Sequence, residues 1–263
     1  MKIAAFFALA ALLNPATLVT PGTERTLKLP AAADHAEVIS LGQAVDPQTG
    51  LVVDGYALIQ HKRSEAAKPP QAGNNGGSTT GSCYAFMARG AKWKTVEPWV
   101  INPANTEGID EAWLLQNFSQ SITKWENAAG AEILGAGSST ANLLEADTLA
   151  PDGQNEVLFG EIADSGVIGV TIVWGVFSGP TQNRQLTEWD QVYDQTDFDW
   201  STTGEAGKMD FENISTHELG HTIGLTHPAD TCSQETMYRY ADYGETIRRD
   251  LGTGDIAGAA VLY

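Results

Sequence analysis

The chain has 263 residues, with 33 acidic and 15 basic side chains, and its formal net charge is −18 at pH 7. Hydrophobic residues make up 42% of the sequence, which is enough for a buried core and excludes a purely solvated acidic chain. The acidic excess also excludes a protein that neutralises a row of nucleic-acid phosphates or docks on an anionic membrane through a polybasic patch.

The N-terminus has the pattern of an export signal. Lys2 precedes an apolar run from Ile3 to Leu13, and Asn14-Pro15 ends that run. The run is shorter than the about 20 apolar residues that span a bilayer. We therefore expect a signal peptide over 1–20, a secreted extracellular protein and no stable membrane insertion after signal removal. The alternative is a buried N-terminal helix.

Residues 21–62 predict a small β-rich N-terminal segment. The sequence indicates a strand over 36–41 and a hairpin over 51–59, with Asp54-Gly55 as its turn. Because so small a sheet is not stable alone, the segment either packs on the domain C-terminal to it or serves as a pro-segment. Residues 63–82 are rich in glycine and proline and predict a flexible linker.

The remaining residues, 83–263, predict one α+β domain. Apolar residues at helical spacing indicate a first helix over 109–128. β-rich runs follow, and a second helix is expected from about 210 to 225 and a last one from Gly254-Asp255. The predicted strands are 99–103, 132–134, 156–159, 167–177 and 188–193.

The chain contains two cysteines, Cys83 and Cys232. In an exported protein such a pair predicts a disulfide, because the compartment is oxidising. Two buried free thiols are the alternative.

Three of the five histidines lie close together, at His217, His221 and His227. On a helix the first two are four residues apart and share one face, so they can hold one metal ion. Gly224 accepts the left-handed conformation that ends a helix, which allows the chain to reverse and bring His227 to the same ion. Three neutral histidines leave one coordination position open, which is typical of a catalytic zinc.

Glu218 follows the first of these histidines directly. It lies about 100° around the helix from His217, beside the expected ion. From there it can act as general base toward a water activated by the zinc and then protonate a leaving amine. A single buried histidine is usually a core residue, but that explanation does not account for the whole pattern HExxHxxGxxH.

This pattern resembles the metzincin clan of zinc metallopeptidases, and within it the matrixins. Glu235-Thr236-Met237-Tyr238 resembles the Met-turn of the clan, whose methionine, here Met237, forms an apolar floor beneath the zinc. The tail 251–263 is similar to the closing helix of the matrixins, and the helix at 109–128 to their first helix. The resemblance implies a metzincin-type zincin fold. Its parts are a twisted, mostly parallel five-stranded sheet, an active-site helix, and a C-terminal helix after the Met-turn. A peptide substrate would pair with the edge strand of the sheet.

Two departures from the matrixins affect the metal and latency predictions. Cys83 lacks the neighbours of the matrixin cysteine switch, so we do not expect latency through a zinc-bound thiolate, and pairing with Cys232 is favoured. No histidine lies between His61 and His217, so the histidine-rich structural zinc site of matrixins cannot form in the same way. One catalytic zinc is therefore expected.

Calcium is a further candidate ligand. Four aspartates in one stretch offer hard oxygen atoms, although their spacing matches no EF-hand loop, and a solvated acidic stretch is the alternative. They are Asp190, Asp194, Asp197 and Asp199.

These observations predict a secreted zinc-dependent endopeptidase with protein or peptide substrates and no nucleic-acid partner. The alternative is a secreted metal-containing binding or adhesion module without turnover. A general-base glutamate favours the peptidase, because a structural metal site has no use for that carboxylate. Substrate specificity and oligomeric state do not follow from the sequence.

Overall fold

A computed structural model describes residues 26–32, 36–63 and 82–263 of the chain. The predicted signal peptide and nearly all of the predicted linker lie outside these residues. Within the described ranges, no helix has the length and apolar character needed to cross a membrane.

The described residues form thirteen strands and three α-helices. The strands are β1 (Thr26–Leu27), β2 (Val38–Val45), β3 (Val52–Lys62), β4 (Ala85–Phe86), β5 (Glu97–Asn102), β6 (Leu134–Ser139), β7 (Glu156–Ile162), β8 (Val167–Val176), β9 (Gln185–Asp194), β10 (Trp200–Ser201), β11 (Met209–Asp210), β12 (Leu225–Thr226) and β13 (Tyr240–Ala241). The α-helices are α1 (Glu111–Ala129), α2 (Phe211–Thr222) and α3 (Thr253–Leu262), and short 3-10 turns lie at Thr181–Asn183 and Ile247–Arg249.

The main sheet of the described residues has nine strands, so the predicted count of five is wrong. The strand order is β13-β3-β8-β9-β7-β5-β6, with β1 beside β7 and β2 beside β3. Strands β6, β5, β7 and β9 pair in parallel, and β8 is antiparallel to β9. The additional strands are β1 to β3 from the N-terminal segment and β13 from the chain after Met237. The segment joins the sheet because a hairpin alone cannot bury its apolar side chains.

The hairpin turn differs from the prediction. Asp54-Gly55 lies inside β3, and the chain turns instead at 46–51. Asp46 Oδ1 accepts hydrogen bonds from the backbone N–H of Gln48 (3.1 Å) and Thr49 (2.6 Å), and Gly50 takes a left-handed φ of 70°. Gly55 has a packing role, because a Cβ atom there would collide with the Trp174 ring.

Two apolar clusters stabilise the fold. The larger one joins α1 and α2 to the sheet and contains Phe118, Trp125 and Trp189. The smaller one joins the N-terminal segment to the sheet through Val53, Ile59, Val170, Ile172 and Trp174. Within the larger cluster, Trp125 Nε1 donates a 2.8 Å hydrogen bond to Thr216 O, which fixes the position of α2 against α1.

Candidate active site

Helix α2 holds the first two predicted metal ligands and begins at a capped end. The Asp210 side chain accepts from the backbone N–H of Asn213 at 3.0 Å, as an N-cap residue does. The helix stops at Thr222, whose carbonyl accepts from Trp93 Nε1 at 2.8 Å. Gly224 has a φ of 102°, so the chain reverses where the sequence predicts.

The three predicted metal ligands converge on one point. The Nε2 atoms of His217 and His221 are 3.2 Å apart, those of His221 and His227 3.1 Å, and those of His217 and His227 3.3 Å. All three side chains are buried. An ion about 2.0–2.1 Å from each nitrogen in tetrahedral geometry places those nitrogens about 3.3–3.4 Å apart. The three histidines therefore fit a tetrahedral ion such as zinc.

Contacts of the other ring nitrogens orient two of these imidazoles. The Nδ1 of His217 donates to Thr236 O at 2.7 Å, and the Nδ1 of His221 donates to Leu225 O at 3.0 Å. A carbonyl only accepts, so each Nδ1 carries the proton and each Nε2 presents a lone pair. Burial, with the neighbouring imidazoles, holds the pKa of His217 and His221 well below its usual range, which keeps the ligands neutral.

His227, the third histidine, borders the N-terminal segment. Its Nδ1 lies 3.4 Å from Glu37 Oε2. Burial lowers the pKa of His227 to about 3, with a smaller effect from His61. Glu37 also forms an ion pair with Arg239, which pairs in turn with Asp230 at 2.6 Å.

Glu218, the predicted base, is fully buried beside the histidines. Its Oε2 accepts a 2.6 Å hydrogen bond from Thr171 Oγ1 on β8, and its Oε1 has no hydrogen-bond partner among the described residues. Burial raises the pKa of Glu218 to about 8. Gly169, also on β8, leaves room for this carboxylate, because a Cβ atom there would lie 3.1 Å from Oε1.

Met237 packs beneath α2. A Cβ atom on Gly220 would collide with the Met237 sulfur, so the helix and the predicted Met-turn are in direct contact. Asp255 at the start of α3 holds the turn, because its carboxylate accepts from the backbone N–H of Thr236 (2.6 Å) and Met237 (3.2 Å). The same Thr236 supplies the carbonyl that orients His217.

A disulfide joins Cys83 to Cys232, with 5.5 Å between the Cα atoms. Cys232 lies in the loop between His227 and Met237. The bond therefore ties the start of the domain to the loop beside the histidines. Strand β4, just after Cys83, also pairs with β12 just before His227.

Sequence reasoning missed four residues around this site. Thr171 is one polar residue in an apolar strand, and Glu37 belongs to a distant segment, so no local pattern pointed to either. Arg239 pairs with Glu37 of that distant segment, so its role also depends on the tertiary fold. Asp255 was predicted to begin the last helix, and its contacts with the turn need the tertiary fold.

A second cluster of carboxylates lies near the junction of β7 and β9. One oxygen atom from each of Asp147, Glu188 and Asp190 lies within 4.8 Å of the others, and Glu188 Oε1 is buried without a hydrogen-bond partner in the part of the chain that the structure describes. Burial and the neighbouring carboxylates raise the pKa of all three. Of the four aspartates proposed for calcium, Asp190 alone belongs to this cluster. Asp194 instead accepts backbone N–H bonds from its own loop.

Comparison with known proteins places part of the chain in a family context. Residues 176–263, about a third of the chain, match the sequence model of the matrixin family of peptidases. This part of the chain is matrixin-like. The matrixin-like part contains the three histidines, Glu218, Met237 and the closing helix. The resemblance predicted from those motifs is thereby confirmed.

Other comparisons are weaker. No curated protein matches the chain. A solved structure, metalloproteinase-II from Bacteroides fragilis, shares 13% sequence identity with a TM-score of 0.34. The alignment covers 66% of this chain and 53% of that one, so the chain spans about half the length of this solved structure.

Proposed function

We propose that the protein is a secreted zinc-dependent endopeptidase acting on protein or peptide substrates. The convergence of three histidine Nε2 atoms within 3.1–3.3 Å, beside the unpartnered Oε1 of Glu218, carries the proposal. The matrixin match over 176–263 supports it. Secretion is proposed from the signal-like residues 1–20, and the disulfide is consistent with an oxidising compartment.

His217, His221 and His227 would hold the zinc through Nε2. When bound, the ion supplies a Lewis acid that polarises a substrate carbonyl and lowers the pKa of water. Glu218 would accept the proton of the attacking water at its unpartnered Oε1 and pass that proton to the leaving amine. Thr171 would hold the other carboxylate oxygen during both transfers.

The proposal also assigns the floor of the zinc site and the extent of the domain. Met237 would form that apolar floor, held by Asp255, and residues 83–263 would form the catalytic domain.

Calcium is proposed as a second metal. The cluster of Asp147, Glu188 and Asp190 would bind it, because carboxylate oxygens are its preferred ligands.

The test combines metal analysis with a cleavage assay. We expect one equivalent of zinc in the purified protein and cleavage of casein or gelatin that stops on chelation and returns with zinc. Glu218→Gln should abolish cleavage while zinc content stays at one equivalent, whereas His221→Ala should lose both. Glu205→Gln, a change at an exposed acid, is the matched control. An unchanged rate in Glu218→Gln would contradict the assigned mechanism.

The binding or adhesion module without turnover is the second candidate. One observation favours it: strand β3 already pairs along β8, the strand that flanks Glu218. Zinc-loaded protein without cleavage under any activating condition would favour this second function.

A further inference from the structure

Strand β3 lies beside β8, the strand whose Thr171 contacts Glu218, and is paired on both of its sides. It pairs antiparallel with β8 over eight residue pairs, from Asp54 opposite Gly175 to His61 opposite Val167. On its other side the backbone N–H of His61 donates to Arg239 O at 3.3 Å, and that of Arg63 donates to Ala241 O at 2.8 Å. Along residues 52–58 its neighbour opposite β8 is β2, and β3 separates β8 from the chain after Met237 only at residues 61–63.

This position matters because of the residues on β8. Gly169 and Thr171 of β8 face Glu218, as their contacts with its carboxylate show. A peptide cleaved at the histidines has to lie near these residues, and an extended peptide binds such a sheet through the free N–H and C=O groups of an edge strand. With β9 on one side of β8 and β3 on the other, β8 has no free edge along the paired residues.

Gln60 indicates that β3 also reaches toward the site. It stands directly opposite Gly169, and directly opposed residues of paired strands project to the same face of the sheet. That face is the one on which Glu218 lies. The Gln60 side chain is fully buried, and neither its amide nitrogen nor its amide oxygen has a hydrogen-bond partner within the described ranges. A buried amide without a protein partner requires an explanation, and a site for an ion and water on the same face supplies one.

Ion pairs anchor both ends of the same segment. The Glu37 carboxylate lies 3.4 Å from His227 Nδ1 and pairs with Arg239, which is almost completely buried. A carboxylate from the N-terminal segment thus contacts the third histidine and the chain after Met237 at once. At the other end, Arg63 lies 4.0 Å from Glu245.

From this geometry we propose that residues 36–63 are a built-in occupant of the substrate groove. Strand β3 takes the place of an extended peptide on β8, and the protein becomes active when this segment leaves. The proposal rests on the proposed peptidase function and gives the N-terminal segment the role of a pro-segment. Such a segment would provide latency without a free Cys83 thiol.

The test uses the full chain with one recognition sequence for a site-specific protease inserted between residues 63 and 82. Cleavage there breaks the covalent link between the N-terminal piece, which ends after residue 63, and the body of the protein, which begins before residue 82. The contacts between piece and body stay in place. Three properties are measured before and after cleavage. They are the fraction of the piece that co-elutes with the body, hydrogen exchange of the β8 amides, and both binding and cleavage of a fluorescent casein peptide.

Two variants weaken the contact by different means. Gly55→Leu brings a side chain against the Trp174 ring, and Glu37→Gln removes the charge beside His227 and Arg239. Asp54→Asn is the charge control, because Asp54 on the same strand accepts a hydrogen bond from the exposed Gln43 side chain, away from the histidines. Since Glu37→Gln leaves the core intact, the test holds even where Gly55→Leu does not fold.

We expect the intact chain to cleave slowly and to protect the β8 amides from exchange. In the cut variants the piece should dissociate and the β8 amides should exchange hydrogen faster. The value of kcat/KM should rise by about tenfold or more, because a larger fraction of the molecules can bind the peptide. The cut Asp54→Asn protein should match the cut wild type. If the released body binds the casein peptide without cleaving it, the groove proposal holds and the peptidase function fails. Equal peptide binding and cleavage by the intact and released forms would overturn the groove proposal, as would a released body that neither binds nor cleaves.

Discussion

Thr171 Oγ1 donates a 2.6 Å hydrogen bond to Glu218 Oε2 from the strand that faces helix α2. Among the described residues Glu218 Oε1 has no hydrogen-bond partner, and it is the oxygen that the proposed proton transfer requires. The proposed general base is thus positioned by a residue 47 positions earlier in the chain.

Thr171→Val should therefore reduce catalysis while the fold is retained. Valine has the same shape but no hydroxyl, and a hydrogen bond to a charged group contributes about 1.5–3 kcal/mol, so we expect kcat to fall about tenfold or more. KM should change little, because the Thr171 hydroxyl is directed at Glu218. Thr171→Ser should restore most of the rate, and a Ser variant as slow as the Val variant would contradict this role. Steady-state kinetics on activated protein measure both values.

Asp255 should control the Met-turn and, through it, zinc affinity. Asp255→Ala removes the acceptor for Thr236 and Met237, and the cost of two unpaired buried N–H groups is about 2 kcal/mol or more in the free energy of unfolding. Because Thr236 also orients His217, zinc should bind about tenfold more weakly. Chemical denaturation and a competing chelator measure these effects. Asp250→Ala, at an exposed position nearby, should change neither.

Loss of the disulfide should destabilise the protein without removing the histidine site. Cys83 and Cys232 are 149 positions apart, and closing a loop of that size contributes about 5 kcal/mol in the chain-entropy model. We expect the double variant Cys83→Ala, Cys232→Ala to unfold at much lower denaturant concentration but still to bind zinc when folded. Unfolding at the same midpoint as the wild type would show that the bond adds nothing.

The carboxylate cluster predicts stabilisation by calcium. A cation shared by Asp147, Glu188 and Asp190 would neutralise charges that are buried together. Calcium should raise the melting temperature of the wild type, by mass action, and should leave that of Glu188→Gln unchanged. Glu132→Gln, an exposed change of the same chemistry, should respond like the wild type. A response to magnesium equal to that with calcium would argue against a specific site.

The cluster and the neighbouring Glu156, whose backbone N–H donates to Asp190, predict how stability depends on pH without calcium. Burial raises the pKa of Glu156 to about 7 and also raises that of Glu188. At pH values between the pKa of a glutamate in the unfolded chain and these raised pKa values, the folded state binds more protons than the unfolded state. Their contribution to stability is therefore complete below about pH 4.5 and declines as pH rises through 7. Denaturation at pH 5 and pH 8 measures this decline, which should be smaller in Glu188→Gln.

The histidine site was predictable because its information is local. The separation of His217 and His221 needs only helix geometry, and Gly224 marks the turn that returns His227. The role of Asp54-Gly55 was not predictable from the sequence. A glycine at position 55 suits a hairpin turn, and it equally suits a strand that packs closely against Trp174. Thr171 and Glu37 reach the site through strand pairing between distant parts of the chain. The hydrophobic periodicity of a single sequence does not indicate which strands pair.

Helix α2 is buried along its length apart from Glu212. A helix so enclosed cannot open locally, so His217 and His221 should keep their positions when an ion leaves through the open coordination position. The metal-free protein should then rebind zinc without refolding, and the rate of rebinding should report access to the site and not the stability of the fold.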